Sequence, residues 1–244
     1  MICVVTKAGK NKLASEDAVL VGKDVVVDSC QVLDTVQSGI VCVADGVGGN
    51  AGGAVASNFV VNALRDLAID MSIDIRSEIL DINTALLEKA KQEPKFSDMA
   101  TTLTGILFFK TKYQLIHVGN TRAYVLQGDY LKQLTSDHTV YNYLCSMQRY
   151  EEAELCNKNE ITSCLGGGNE NYAAKISVSS ITKGKKYLLT SDGVHEYVSL
   201  DFLEATLIQN MAATEKCNKI IEEALKNGSN DDLSVVFIEV EEVI

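Results

Sequence analysis

The stretch CVADGVGGNAGGAVAS, residues 42–57, decides the fold. Small and branched apolar residues run up to Asp45, where a carboxylate replaces them. Five glycines follow before residue 54, and from there apolar residues recur at helical spacing. The pattern predicts a buried strand that ends on a carboxylate, an open loop with few side chains, and then a helix.

Three interpretations of this loop are open on the stretch alone. Residues 46–51 loosely fit the glycine fingerprint of dinucleotide-binding folds, but Asp45 would then put a negative charge beside a negatively charged pyrophosphate. A phosphate-binding P-loop needs a Gly-Lys-Ser/Thr sequence, which does not follow here. The plainest alternative is a glycine-rich turn that ends a core strand.

Length and composition indicate one folded domain. The chain has 244 residues, 46% of them hydrophobic, with a single proline and no low-complexity linker, so we expect residues 1–244 to form a single domain. No apolar run approaches the roughly 18 residues that cross a bilayer, and the first residues lack the features of a signal peptide. We therefore expect a cytoplasmic monomer without a membrane partner.

The charge and the cysteines argue against further classes. The formal net charge of -11 disfavours nucleic acid as a partner, because binding phosphates requires a basic surface. The seven cysteines are scattered and never spaced as CxxC, which disfavours a disulfide framework and a zinc site. An acidic chain suits a site where carboxylates hold metal cations.

Apolar runs and helical periodicity predict the secondary structure. Strands are expected at residues 2–6, 25–27, 39–44, 103–109, 113–118, 123–126, 174–178, 187–190 and 233–240. Helices are expected at residues 54–69, 75–90, 200–210 and 214–226. Because strand runs are joined by hairpin-length loops and long helices come in pairs, this order favours an α+β domain with antiparallel sheets over an alternating βαβ fold.

The arrangement of the opening stretch recurs twice. The segment YLLTSDGV is another apolar strand that ends at Asp192, followed by Gly193. Near the C-terminus, Asp231 and Asp232 stand directly before a last apolar strand. Hard divalent cations such as Mg²⁺ and Mn²⁺ prefer oxygen ligands of this kind. Three strand ends that carry carboxylates therefore indicate a metal site.

This order of motifs resembles one family, the metal-dependent protein serine/threonine phosphatases of the PPM or type 2C family. KLASEDAVLV, residues 12–21, is similar to the family's N-terminal acidic element, and VADGVGGNAGGAVAS to its Asp-Gly metal motif. Six more stretches follow in the family's order: MATTLTGILF, LIHVGNTRAYVL, LTSDHT, ITSCLGGG, YLLTSDGVHEYVS and NDDLSVVFIEV. The resemblance spans nearly the whole chain. It implies a bacterial-like single-domain form and a four-layer α-β-β-α sandwich, with two central antiparallel β-sheets flanked by helix pairs.

The resemblance also implies a site for two ions, Mn²⁺ or Mg²⁺. Asp45 would bridge them, and the Gly46 carbonyl with a water held by Glu16 would complete one shell. Asp192 and Asp231 would hold the other ion. A hydroxide between the ions would then attack phosphorus in line.

Lys12 would neutralise phosphate oxygens, where the family has an arginine. Its grip should be weaker, because an ammonium is a point charge and a guanidinium is a planar fork. A solvated surface lysine is the alternative. Two neighbouring motifs also depart from the family, since Ser15 and Asp232 stand where asparagine is usual.

Other departures concern the proton donor and a third ion. Asn50 stands where many relatives have a histidine proposed to protonate the leaving oxygen. His138 is either a substitute acid or a loop residue that forms hydrogen bonds. Asn120 replaces an aspartate that holds a third, weaker ion, while Glu196 keeps a carboxylate at the other ligand position. The third ion is therefore in doubt.

The resemblance implies an enzyme that hydrolyses phosphoserine and phosphothreonine in proteins, with a flap over the site at about residues 137–159. Its partners would be phosphorylated proteins and a serine/threonine kinase whose action it reverses. The alternative within the fold is a pseudophosphatase, a binding or regulatory module, and its evidence is Lys12, Ser15, Asn50 and Asn120. A nucleotide-binding oxidoreductase is a third class, and it rests on the glycine loop alone.

Overall fold

The computed structural model describes residues 1–34, 36–47, 52–70, 72–110, 112–182 and 186–240. In these ranges the strands are β1 (Ile2–Lys7), β2 (Ala18–Val21), β3 (Asp24–Val26), β4 (Cys30–Leu33), β5 (Ser38–Ala44), β6 (Gly46–Val47), β7 (Ala100–Thr101), β8 (Leu103–Phe109), β9 (Lys112–Val118), β10 (Arg122–Gln127), β11 (Tyr130–Gln133), β12 (Leu165–Gly166), β13 (Ser177–Ile181), β14 (Lys186–Thr190) and β15 (Leu233–Glu239). The helices are α1 (Gly52–Asp66), α2 (Ile75–Gln92), α3 (Val140–Ser146), α4 (Tyr150–Leu155), α5 (Asp192–His195), α6 (Leu200–Leu207) and α7 (Ala213–Lys226).

The strands form two large sheets and one small sheet. The first large sheet has the order β11-β10-β14-β15-β1-β4, and the second has the order β13-β9-β8-β5-β2-β3. All neighbouring strands within them are antiparallel. A short sheet of β12, β7 and β6 lies beside them.

The central strands of each large sheet are buried on both faces, which explains why β1, β5, β8 and β15 are apolar along most of their length. In β1, Ile2 and Val4 pack into the core between the two sheets, while Cys3 and Val5 pack beneath α6 and α7. In β5 the same alternation sends Val43 between the sheets, and its neighbours to a third core under α1 and α2. The result is four layers, helices over sheet over sheet over helices.

This architecture confirms the predicted fold class. The four predicted helices are present, and α1 ends at Asp66 instead of continuing to residue 69. The strand predicted at 174–178 lies three residues later, at Ser177–Ile181, because a 3₁₀ helix occupies Glu170–Lys175. The strands that sequence patterns missed are short: β2, β4, β6, β7, β11 and β12.

The pairing of β1 with β15 brings distant parts of the chain together. β1 pairs with β15 in a register that sets Lys7 opposite Leu233. The loop after β1 therefore lies beside the loop that leads into β15. In the part of the chain that the structure describes, no helix combines the length and the apolarity that a membrane span requires.

Candidate active site

An open cavity of about 840 Å³ lies where these loops meet the end of β5 and the start of α5. Its carboxylates come from four separate segments of the chain, and one lysine accompanies them. The lining residues are Lys12, Leu13, Ala14, Glu16, Asp45, Gly46, Val47, Ala54, Asn120, Asn159, Ile161, Asp192 and Asp231. The fold thus brings the strand-end aspartates of the sequence into one place.

Asp45 follows the last residue of β5, and two threonines fix its backbone. Its N–H donates to Oγ1 of Thr102 (3.1 Å), and its carbonyl oxygen accepts from the Thr102 N–H and the Thr101 hydroxyl (both 2.9 Å). The side chain is thereby aimed into the cavity. Burial raises the pKa of Asp45 well above its usual value, and the nearby charges of Asp192, Asp17 and Asp231 add to the effect.

Asp192 begins α5 directly after β14 and Ser191. Its Oδ2 accepts a 2.8 Å hydrogen bond from the Nδ2 amide of Asn120. Gly193 lets the short helix approach β15, since a Cβ there would lie 2.2 Å from the Asp232 carbonyl oxygen. Burial raises the pKa of Asp192, and the charge of Asp231 contributes.

Glu16 reaches the cavity because two glycines are packed against each other beneath it. A Cβ on Gly46 would lie 2.4 Å from the backbone of Gly53, and a Cβ on Gly53 would lie 2.7 Å from Oε1 of Glu16. These contacts explain the glycines on both sides of the loop. Oε1 of Glu16 is buried and has no hydrogen-bond partner among the described atoms.

Asp17 is completely buried behind the cavity, and sequence reasoning did not place it in the site. Its Oδ2 accepts from the hydroxyl of Ser234 at 2.7 Å, while Oδ1 is buried without a hydrogen-bond partner in the described residues. Burial raises the pKa of Asp17 to about 7, against the opposing effect of the Ser234 hydrogen bond. Its charge contributes to the raised pKa of Asp45.

Lys12 lies among three carboxylates. Its Nζ is 2.8 Å from Oδ2 of Asp232, 3.0 Å from Oδ1 of Asp231 and 3.3 Å from Oε2 of Glu16. Its side chain is 32% exposed. The carboxylates raise its pKa against the opposing effect of burial, which is the largest single influence. The ammonium is charged and faces the cavity, so the lysine is not an isolated surface residue.

Glu196 lies one turn after Asp192 and contacts the flap. Its Oε2 accepts a 2.7 Å hydrogen bond from Nδ2 of Asn159. Burial and the charge of Asp192 raise the pKa of Glu196 to about 7. Glu196 is not among the residues that line the cavity, and Asn159 is.

The flap carries two short helices, α3 and α4, and its base is closed by several contacts. The guanidinium of Arg122 makes a two-pronged ion pair with Asp137, with its closest contact at 2.6 Å. Thr139 forms a β-bridge with Ile161, and the N–H of Val140 donates to the Glu160 carbonyl at 2.8 Å. The segment therefore leaves and returns to the fold at a fixed point.

The three histidines all have structural partners. His117 bonds to Thr104 at 2.8 Å and to the Ser136 carbonyl at 2.9 Å, and its ring lies 4.7 Å from that of His138. Nδ1 of His138 accepts from the backbone N–H of Gly119. Nδ1 of His195 is 2.9 Å from the Thr190 hydroxyl. These contacts fit the interpretation of His138 as a hydrogen-bonded loop residue. Asn50, the proposed site of the missing acid, lies outside the described residues.

The donors suit hard divalent cations. All the charged donors are carboxylates, and Oε1 of Glu16 is buried without a hydrogen-bond partner in the described residues. Across the described ranges, no three acidic, histidine or cysteine side chains already have the spacing of one ion's ligands. The Gly46 carbonyl, water molecules and a rotated Asp231 side chain would therefore have to complete the coordination.

The topology excludes the dinucleotide-binding interpretation of the glycine loop. β5 is antiparallel to both of its neighbours, β2 and β8. Dinucleotide folds bind their ligand at the end of a parallel strand.

Comparison with protein families matches residues 21–228 to protein phosphatase 2C.

The chain belongs to the protein phosphatase 2C family. Among its relatives, serine/threonine protein phosphatase PstP of Mycobacterium tuberculosis is 33% identical over 217 residues, 85% of this chain and 42% of the relative. Serine/threonine phosphatase stp of Listeria welshimeri is 29% identical over 216 residues, 82% of this chain and 84% of the relative. The chain thus spans less than half the length of the mycobacterial relative.

A solved structure of a family member has the same fold. The catalytic domain of serine/threonine protein phosphatase PstP, in complex with 2 manganese ions, matches with a TM-score of 0.77 and 27% identity. The match covers 99% of this chain and 100% of that one. This relative therefore shares the fold over nearly the whole of this chain.

Proposed function

We propose that this chain hydrolyses phosphoserine and phosphothreonine in proteins, with two bound ions of Mn²⁺ or Mg²⁺. The observation that carries the proposal is the convergence of Glu16, Asp45, Asp192 and Asp231, with one ammonium, in a single open cavity. The family supports it, and so does the phosphatase name of its relatives. Residues 1–244 would act as one domain, with a flap at about 137–159.

The residues of the cavity divide into two ligand groups. Asp45 would be shared by both ions, with the Gly46 carbonyl and a water oriented by Glu16 on one side and with Asp192 and Asp231 on the other. Bound divalent cations would supply an activated water and would neutralise the charge of the phosphate. The threonine bonds to the Asp45 backbone hold that carboxylate in place for this role.

Lys12 would bind phosphate oxygens at the mouth of the cavity. Its ammonium is charged and 32% of its side chain is exposed, so a phosphate can reach it. Of the described residues that line the cavity, none is a histidine. The proton of the leaving serine or threonine oxygen would therefore come from water, unless a group outside the described residues supplies it.

Asn120 makes a third ion at Asp192 unfavourable. Its Nδ2 donates to Oδ2 of Asp192, so this carboxylate oxygen already has an amide hydrogen where a cation would bind. Glu196 keeps the second carboxylate of that position, but Asn159 holds it. We therefore propose two ions, with Glu196 serving the flap.

Substrates, partner and location complete the proposal. The enzyme would act as a monomer on proteins phosphorylated by a serine/threonine kinase. It would thereby reverse the action of that kinase. Its cysteines are all free, which suits the reducing cytoplasm.

The experiment is a Mn²⁺ titration of the purified protein with a phosphothreonine peptide and with p-nitrophenyl phosphate. Turnover should need added Mn²⁺ or Mg²⁺ and should disappear with chelator, and Asp45→Asn should abolish it. Metal binding without turnover would favour the pseudophosphatase alternative. The structural argument for that alternative is that the ammonium of Lys12 is already paired with Glu16 and Asp231. Equal turnover without metal would contradict both.

A further inference from the structure

Asp232 is buried directly before β15, and all the hydrogen bonds of its carboxylate go to one loop. It is only 3% exposed. Oδ1 accepts from the Gly9 N–H at 2.7 Å, and Oδ2 accepts from the Glu16 N–H and from Nζ of Lys12, both at 2.8 Å. A carboxylate in the last loop of the sheet thus fixes the backbone of the first loop and its lysine.

Two of these bonds hold the carboxylate independently of the lysine. The N–H groups of Gly9 and Glu16 belong to the backbone, so the positions of these two donors do not depend on a rotatable side chain. A carboxylate oriented in this way presents Oδ2 at a fixed point. An asparagine would offer one acceptor oxygen and no charge, so it could not serve all three donors in this way.

Lysine has a particular need for such an anchor. Its ammonium is a compact charge on a flexible stem, whereas arginine is partly preorganised by its planar fork. The other two carboxylates near Nζ, those of Asp231 and Glu16, line the cavity and are proposed ligands. Asp232 is the closest of the three carboxylates and does not line the cavity.

We propose that Asp232 is a positioning residue for Lys12: it holds the ammonium at the edge of the carboxylate group, where phosphate can reach it. The inference rests on the proposed function of Lys12 as a phosphate-binding group. It adds a residue that acts only through the lysine. Lysine at position 12 and aspartate at position 232 then work as a matched pair.

A simpler role for Asp232 would be to clamp the loop through Gly9 and Glu16. The two roles differ in whether Lys12 is needed. If Asp232 acts through the lysine, its replacement matters only when the lysine is present. If it only clamps the loop, the loss is the same with or without the lysine.

The test is a double-mutant cycle scored on the affinity of the Mn²⁺-loaded protein for inorganic phosphate, measured by calorimetry. Asp232→Asn should weaken phosphate binding by about tenfold in the wild-type background. In the Lys12→Met background it should change the affinity less than twofold. Equal losses in both backgrounds would overturn the inference and leave only the loop clamp.

Two further variants sharpen the result. Lys12→Arg combined with Asp232→Asn should recover part of the lost affinity, because a guanidinium fork can bond an amide oxygen and phosphate together. No recovery would count against the pairing of these positions. Asp17→Asn is the matched control, a buried carboxylate bonded to Ser234 and not to Lys12, and its effect should be the same in both backgrounds.

Folding and turnover are monitored separately. Thermal unfolding checks each variant, and if Asp232→Asn does not fold, Asp232→Ser replaces it, since its hydroxyl can accept from Gly9. Phosphate binding does not require turnover. A wild type that binds phosphate but hydrolyses no phosphopeptide would contradict the proposed function alone, and a wild type that binds no phosphate would overturn this inference as well.

Discussion

The Nδ2 amide of Asn120 donates a 2.8 Å hydrogen bond to Oδ2 of Asp192, so a neutral side chain stands beside a proposed ligand. Replacing the amide by a carboxylate turns this donor into a ligand. We expect Asn120→Asp to raise the number of Mn²⁺ ions bound from two to three, as counted by equilibrium dialysis.

The control for this variant is Asn120→Ala, which removes the amide without adding a charge. It should leave the number of bound ions unchanged. The same number in the wild type and in Asn120→Asp would show that the position is not within reach of a further cation.

A second prediction concerns Asp231, whose side chain is 55% exposed. Asp231→Asn keeps an oxygen that can accept from the Asp232 N–H, so the turn before β15 should survive. The lost charge weakens the hold on an ion, and turnover of a phosphothreonine peptide should fall by at least about 100-fold. Asp201→Asn on α6 is the surface control. If Asp231→Asn kept near-normal turnover with saturating metal, the assigned ligand set would be wrong.

The flap gives a third prediction. Asn159 holds it to Glu196 through a side-chain hydrogen bond. Asn159→Ala removes about 0.5 to 1.5 kcal/mol of interaction, so the flap should open more often and be cut several-fold faster by a protease. Asn62→Ala, an amide that bonds only within α1, should not change the rate. Unchanged cleavage in both variants would show that the base contacts alone hold the flap.

The fourth prediction is a pH dependence of stability. Burial lowers the pKa of His117 from 6.5 to about 4, so the folded protein keeps the ring neutral while the unfolded chain takes up a proton. Above pH 6.5 both states are neutral. As the pH falls from 6.5 to 4, this ring should therefore lower the free energy of unfolding by roughly 3 kcal/mol.

His117→Gln isolates this effect, because its amide can replace both hydrogen bonds of the ring and does not titrate. Urea unfolding of the metal-free wild type and variant at several pH values gives the difference between them. The wild type should lose stability relative to the variant on acidification, while the acidic groups of the cavity affect both proteins alike. Parallel curves would show that the buried ring does not carry the effect.

The aspartates of the site were predictable from sequence, and the flap contacts were not. Asp45 and Asp192 each end an apolar strand and precede a glycine, a pattern visible in a single sequence. Asn159 and Glu196 meet only because the flap returns over α5, and they are 37 residues apart in the chain. No local periodicity signals such a pair.

The missed secondary structure has a related cause. β2 contains four residues and directly follows Glu16 and Asp17, and an apolar run of this length is ambiguous. Helix α3 has seven residues, too few for a helical period to stand out. Contacts with the rest of the fold stabilise such short elements, as the pairing of β2 with β3 and β5 does.

The pairing of β1 with β15 has a consequence for the order of folding. Gly9 and Asp232 are bonded across 223 positions of sequence, so closing this contact carries nearly the largest loop-closure cost that the chain can incur. Hairpins such as β8 with β9 can form early, because their partners are neighbours in sequence. The carboxylate group should therefore assemble in the last stage of folding. A newly made chain would have most of its sheets before it had a working site, and recovery of activity after dilution from denaturant should lag behind recovery of secondary structure.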